Sequence, residues 1–211
     1  MTDPTPAPPV PTVFIVDDDP SFRTAVSRLL RAAGHRVQTF SSASDFLKSL
    51  PAADPGCVVA DLQMPGLSGL ELQAALAASD SPMPVLFLTG HGDIATSVQA
   101  MRLGAEDFLT KLAPRAQLLD AVNRALARDS RERAERTKVH GARARFEGLT
   151  IRESEVLQHV LRGRPNKQIA ADLGIHERTV KLHRTAITTK VGVQSVAELA
   201  QLWMEAFPKE P

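Results

Sequence analysis

Five short apolar runs, each closing on polar residues and separated by segments of helical period, dominate residues 12–127. Val13-Phe14-Ile15-Val16 runs into Asp17-Asp18-Asp19. Residues 37–40 form a second strand-like stretch. Residues 57–60 form a third run, ending at Asp61. Val85-Leu86-Phe87-Leu88 ends at Thr89, and Phe108-Leu109 precedes Lys111. Between them, residues 21–33, 44–50, 70–78, 94–103 and 116–127 carry apolar residues at helical spacing. Asp19-Pro20 reads as an N-cap with proline at the first helical position, Asp93 as a further cap, and Gly34 and Gly104 as stops. Strands alternating with helices predict a parallel sheet covered on both faces.

Composition removes several classes. The single cysteine, Cys57, rules out a disulfide framework and a Cys-based zinc site, and its apolar neighbours predict a buried, inert thiol. No apolar run approaches the ~18 residues that span a bilayer. Residues 1–11 hold five prolines and no basic stretch, which reads as a disordered tail rather than a secretory signal, so a cytoplasmic protein is expected. The net charge of +1 hides a division. Residues 1–127 hold 9 Lys/Arg against 13 Asp/Glu, whereas residues 128–211 hold 16 against 11. An acidic front and a basic back suggest two modules, the second suited to nucleic acid.

Residues 128–147 carry seven Lys/Arg and four Asp/Glu with almost no large apolar residue. They read as a charged linker that, with Glu132 and Arg136 at i,i+4, could extend the previous helix into solvent, ending near Gly141. Four short helices then follow over residues 148–207. Thr150-x-x-Glu153 and Ser195-x-x-Glu198 are capping boxes, Asn166 is a candidate cap, and Gly174 is the turn between a short helix and a longer one over 176–190. Helix, glycine turn, longer helix is a helix-turn-helix pattern.

In an open parallel sheet the carboxyl ends of the strands meet at one edge, where ligands bind. Asp17, Asp18, Asp61, Thr89 and Lys111 should therefore converge. Clustered carboxylates repel unless a cation joins them, and hard oxygen donors at this density suit Mg²⁺. A carboxylate beside Mg²⁺ and a lysine can attack phosphorus, giving an aspartyl phosphate.

The stretches Phe14-Ile15-Val16-Asp17-Asp18-Asp19-Pro20, Asp61-Leu62-Gln63-Met64-Pro65-Gly66-Leu67-Ser68-Gly69, Leu88-Thr89-Gly90-His91-Gly92-Asp93 and Gly104-Ala105-Glu106-Asp107-Phe108-Leu109-Thr110-Lys111 resemble the receiver domain of two-component response regulators. The resemblance covers residues 12–127 and implies a flavodoxin-like strand order 2-1-3-4-5. It implies that Asp61 accepts the phosphoryl group from a sensor histidine kinase. Asp18, Asp61 and the Gln63 backbone carbonyl would bind Mg²⁺, with Asp17 in support. Lys111 would contact the phosphoryl group, and Thr89 and Phe108 would form the switch pair. One position departs: the family's usual Lys-Pro is Lys111-Leu112 here. A cis bond before a non-proline residue costs roughly 2.5–4 kcal/mol, so a trans bond is expected.

Residues 148–207 resemble the LuxR-type helix-turn-helix, through Leu149-Thr150-x-Arg152-Glu153-x-Glu155-Val156-Leu157, Gly163-x-x-Asn166-Lys167-x-Ile169-Ala170 and Thr179-Val180-Lys181-x-His183 with Lys190 and Gly192. Together the two resemblances match the NarL/FixJ group, with Gly90-His91-Gly92-Asp93 leaning to its FixJ branch. By position in that motif, Lys181, Leu182 and Thr185 are base-edge candidates. Lys167, Arg178, Thr179, His183, Arg184 and Lys190 are phosphate candidates. Val180, Ile187 and Val191 are expected in the core. The resemblance implies a transcriptional regulator that dimerises on phosphorylation, binds promoter DNA and engages RNA polymerase, with no membrane association and no turnover beyond self-phosphorylation and slow autodephosphorylation. Two alternatives stand beside it. A Mg²⁺-dependent phosphatase with an Asp nucleophile usually carries a second acid two residues on, where this chain has Gln63. A phosphorylation-independent DNA-binding protein would carry the same helix-turn-helix behind an inactive receiver.

Overall fold

A computed structural model describes residues 10–49, 55–79, 83–90 and 94–208. Most of the expected tail, the Asp93 cap and the His91-Gly92-Asp93 stretch lie outside the described residues. The chain divides into two compact units, residues 1–133 and 134–211.

In the first unit the strands are β1 (Thr12–Val16), β2 (Arg36–Phe40), β3 (Gly56–Ala60), β4 (Val85–Thr89) and β5 (Asp107–Thr110). All pairs are parallel, in the order β2-β1-β3-β4-β5. The helices between them are α1 (Pro20–Ala32), α2 (Ala43–Ser49), α3 (Gly69–Ala77) and α4 (Ile94–Arg102). β1, β3 and β4 are buried along their whole length, which is why they read as unbroken apolar runs instead of alternating ones. Successive side chains feed two cores. Phe14, Val58 and Phe87 point into one face, and Ile15, Val59 and Leu86 into the other.

Local chemistry sets the helix ends. Asp19 caps α1, accepting from Ser21 and Phe22 N–H. Ser68 and Glu71 form a full capping box on α3 that the sequence reading missed, although Ser-x-x-Glu is its signature.

Over residues 115–147 the helix runs on past Gly141, where the sequence suggests an end. The final receiver helix and the linker are one element, α5, running Arg115–Ala144 through Gly141. Among residues 115–144 there is no proline, and i,i+4 ion pairs carry the helix forward: Arg128–Glu132 at 2.7 Å and Asp129–Arg133 at 2.8 Å. Glu132 thus pairs backward with Arg128, not forward with Arg136. Asp129, read as a linker acid, is 1% exposed and accepts the N–H of Gly56 at 2.8 Å. Gly56 has no alternative there, because a Cβ would stand 2.0 Å from the Thr12 carbonyl oxygen.

The second unit contains the end of α5, then α6 (Ile151–Leu161), α7 (Asn166–Leu173), α8 (Glu177–Val191) and α9 (Val196–Ala206). Val156, Leu157, Ile169, Val180, Ile187, Val191 and Leu199 form its core, joined by Ala142 and Phe146 from the stretch read as linker. Phe146 stacks edge-on against Trp203 at 5.2 Å. Thr150–Glu153 is a full capping box. Two expectations are corrected. Asn166 is the first helical residue and Pro165 the cap position, without a side-chain bond. At α9 only half a box forms, because the Glu198 carboxylate takes the N–H of Gln194 rather than that of Ser195.

Candidate functional site

Register brings the acids together. Val16 pairs with Ala60 across β1 and β3, so Asp17 and Asp61 leave adjacent strand ends at the same level. Asp61 N–H donates to the Val16 carbonyl at 2.8 Å. At the other side of the edge Thr89 pairs with Thr110, and Lys111 N–H donates to the Thr89 carbonyl at 2.8 Å. Lys111 Nζ then lies 2.7 Å from Asp17 and 2.7 Å from Asp61. It also sits 4.3 Å from the centre of the Phe22 ring. No cis peptide bond occurs among the described residues, so Lys111–Leu112 is trans and the lysine reaches the acids with leucine in the proline position.

Asp17 is 2% exposed and Asp61 8%, while Asp18 is open to solvent. Each of the three offers a carboxylate oxygen, all within 4.8 Å of one another. Burial raises the pKa of Asp17, opposed by hydrogen bonds from Lys111 and the Asp19 N–H. Burial disfavours the charge on Lys111, but its bonds to Asp17 and Asp61 outweigh that and hold its pKa above the usual lysine value. Three hard oxygen donors in this space fit a small divalent cation such as Mg²⁺. Gln63 is exposed, and its N–H donates to Asp61 Oδ1 at 3.3 Å. Thr89 is buried at the end of β4. Phe108 is half-buried, its ring 6.1 Å from that of Phe87. Cys57 is fully buried, and burial first, then Asp129 and Glu106, push its thiol far above the range in which it ionises.

In the second unit, Gly174 joins α7 to α8 with φ +62°, a left-handed conformation that a side chain resists. On α8, Val180, Ile187 and Val191 are buried. Lys181, Leu182 and Thr185 share an exposed face, Leu182 at 64% exposure. Arg178 and Lys167 are exposed, and Thr179 and His183 are half-buried. Arg184 is half-buried and donates to Asn166 Oδ1 at 3.2 Å.

Lys190, read from sequence as a phosphate contact, has a structural task. Its Nζ lies 2.8 Å from the carboxylate of Glu153, which is 5% exposed and also accepts from Thr150. The Lys190 bond, first, and the Thr150 N–H lower the Glu153 pKa to about 2. A carboxyl depressed on folding contributes stability that is present above its unfolded value, near 4.3, and fades as pH falls through the folded value. Fluorescence of Trp203, the chain's single tryptophan, is therefore expected to report progressive destabilisation of this unit between about pH 4.5 and 2. Glu153→Gln should flatten that dependence. An identical slope in the variant would show that other groups govern it.

Comparison with known proteins agrees with this geometry. Residues 13–123 match the response regulator receiver domain family, and residues 147–203 match the bacterial regulatory proteins of the luxR family. Nodulation protein W of Bradyrhizobium diazoefficiens is 42% identical over 190 residues, covering 90% of this chain and 84% of that protein. Transcriptional regulatory protein FixJ of Azorhizobium caulinodans is 40% identical over 190 residues, covering 90% of each. The solved structure of the response regulator StyR is 46% identical with a TM-score of 0.81, covering 93% of this chain and 99% of that one. No described helix is long and apolar enough to cross a membrane. With a five-stranded receiver fold in front and a luxR-family helical unit behind, the chain belongs to the response regulators that join a receiver domain to a LuxR-type DNA-binding domain.

Proposed function

We propose that Asp61 is the phosphoacceptor through which a sensor histidine kinase controls DNA binding by α8. The observation that carries this is Lys111 Nζ held equally close to Asp17 and Asp61 at the edge where the strands end. An Asp61 carboxylate oxygen attacks phosphorus of the donor's phosphohistidine. The new O–P bond forms as the N–P bond breaks, and the imidazole leaves with its electron pair. Asp18 and Asp61, with the Gln63 carbonyl as a third oxygen and Asp17 in support, would hold Mg²⁺. Bound there, the cation offsets the carboxylate charge and draws charge off the phosphoryl oxygens. Lys111 exchanges a carboxylate partner for a phosphoryl oxygen. Thr89, buried at the end of β4, turns its hydroxyl to the phosphoryl group, and Phe108 moves from half-buried to buried beside Phe87.

That rearrangement biases the face built by α4, β5 and the start of α5 toward pairing with a second copy, so that two α8 helices meet two half-sites in promoter DNA and act on RNA polymerase in the cytoplasm. The chain is a switch and not a turnover enzyme, its chemistry limited to self-phosphorylation and slow autodephosphorylation. The reading is tested by oligomeric state with and without beryllofluoride and Mg²⁺. A shift from monomer to dimer is expected, and an unchanged monomer would overturn the dimer step.

On DNA, Lys181→Ala is expected to relax sequence preference, at roughly 1–3 kcal/mol of discrimination for one lost base contact. Lys167→Ala should weaken all sequences alike and lower the salt dependence by about one phosphate contact. Competition binding on specific and random duplexes separates the two. Lys190→Ala should weaken binding as well, but with a loss of stability, because Glu153 is left buried without its cation.

A further inference from the structure

A second charged site lies along α1, on the side facing the edge strand β2. A cleft of about 430 Å³ is lined there by Arg23, Thr24, Ser27, Arg28 and Arg31 of α1 and Thr39 of β2. Residues 23, 27 and 31 follow a four-residue period and share one helix face, with 24 and 28 beside it. Three arginines therefore line one hollow, and no acidic residue lines it.

Two of these groups are held in place. Arg23 donates through one Nη to the Asp17 carbonyl, and Arg31 donates through one Nη to the Val37 carbonyl at 3.1 Å. Each keeps further N–H donors. Arg28 is exposed and has no hydrogen-bond or ion-pair partner among the described residues. Guanidinium forks around one hollow match the oxygens of a phosphate group, which arginine takes bidentately. The volume is within the range of small-ligand sites and exceeds the need of a single orthophosphate.

We propose that the α1–β2 cleft binds the diphosphate group of a small molecule, with Arg28 as the principal ligand-contacting residue. Inorganic pyrophosphate and a diphosphate ester share this chemistry, and ADP distinguishes the second source from the first.

The test is calorimetry on the full chain, in EDTA so that the three acids cannot recruit the anion through a divalent cation. Pyrophosphate is the probe, with sodium chloride at matched ionic strength as control. Saturable one-to-one binding is expected, weakened about tenfold or more by Arg28→Ala, as for loss of a hydrogen bond between charged groups. Lys181→Ala, on the exposed face of the other unit, should leave it unchanged, and amide shifts on pyrophosphate addition should concentrate at residues 23–31. Binding of ADP as well as pyrophosphate would assign a diphosphate ester, and binding of pyrophosphate alone the inorganic ion. Absence of saturable binding, equal affinity in Arg28→Ala, or loss in Lys181→Ala would overturn the proposal.

Discussion

Asp61→Asn is expected to yield no phosphorylated protein when the chain is incubated with acetyl phosphate and Mg²⁺, whereas the wild type gives a shifted band on phosphate-affinity electrophoresis. The substitution keeps the size of the side chain and removes the nucleophilic oxygen. An amide oxygen has neither the charge nor the lone-pair basicity to open a phosphoramidate or an acyl phosphate. The surroundings should hold. Asp61 N–H still bonds Val16, and Lys111 keeps Asp17 at 2.7 Å. The variant should therefore fold, and the loss should be complete and chemical. A shift in both proteins would place the phosphoacceptor elsewhere. A shift in neither would leave a DNA-binding protein whose receiver does not take phosphate.

The largest effect on stability is expected from Phe87→Ala. Phe87 is fully buried in β4, between the strands that carry Asp61 and Phe108. Its ring lies against Gly69 at the start of α3, where an added Cβ would come within 2.8 Å of it. Removing such a ring from a rigid layer leaves a cavity that strands on both sides cannot close. The cost is about 3–5 kcal/mol, a large share of the roughly 5–15 kcal/mol that holds a domain together. Measurement can be selective, because there is no tyrosine and Trp203 lies in the second unit. Circular dichroism should show the receiver melting earlier, while the Trp203 fluorescence transition stays in place. A cost below about 1 kcal/mol would show that the layer repacks. Movement of both transitions together would show that the two units unfold as one.

The receiver was legible because its strands are buried on both faces and its helices have polar outsides. Val13–Val16 and Val85–Leu88 are unbroken apolar runs, and each stops where the chain reaches the functional edge. The acid set was legible for the same reason: a parallel sheet puts every strand's carboxyl end on one side. The helix-turn-helix was legible from a glycine turn between apolar periods. Less visible were features whose partners are far apart in sequence. Asp129 read as one more charge in a solvated run, and only the fold shows it bonded to Gly56 at the start of β3. Lys190 read as a phosphate contact because a lysine near the end of a recognition helix resembles one. Its partner Glu153 is 37 residues away. Phe146, isolated among charges, gave no period to follow, yet it fills the second core against Trp203.

The sequence by itself determined the elements, their order and the chemistry at the strand ends, because burial pattern, caps and breakers act over a few residues. The tertiary structure alone decided which charges are spent on structure and which face a ligand. Lys111 and Lys190 are alike in the sequence, yet the first is set between two site acids and the second, itself exposed, pairs with the buried carboxylate of Glu153. Asp61 and Asp129 are both buried carboxylates, one aimed into the functional edge and one into the backbone of β3. The reason is physical: the energy of a charge depends on the dielectric and the partners around it, and both are fixed by contacts between distant parts of the chain.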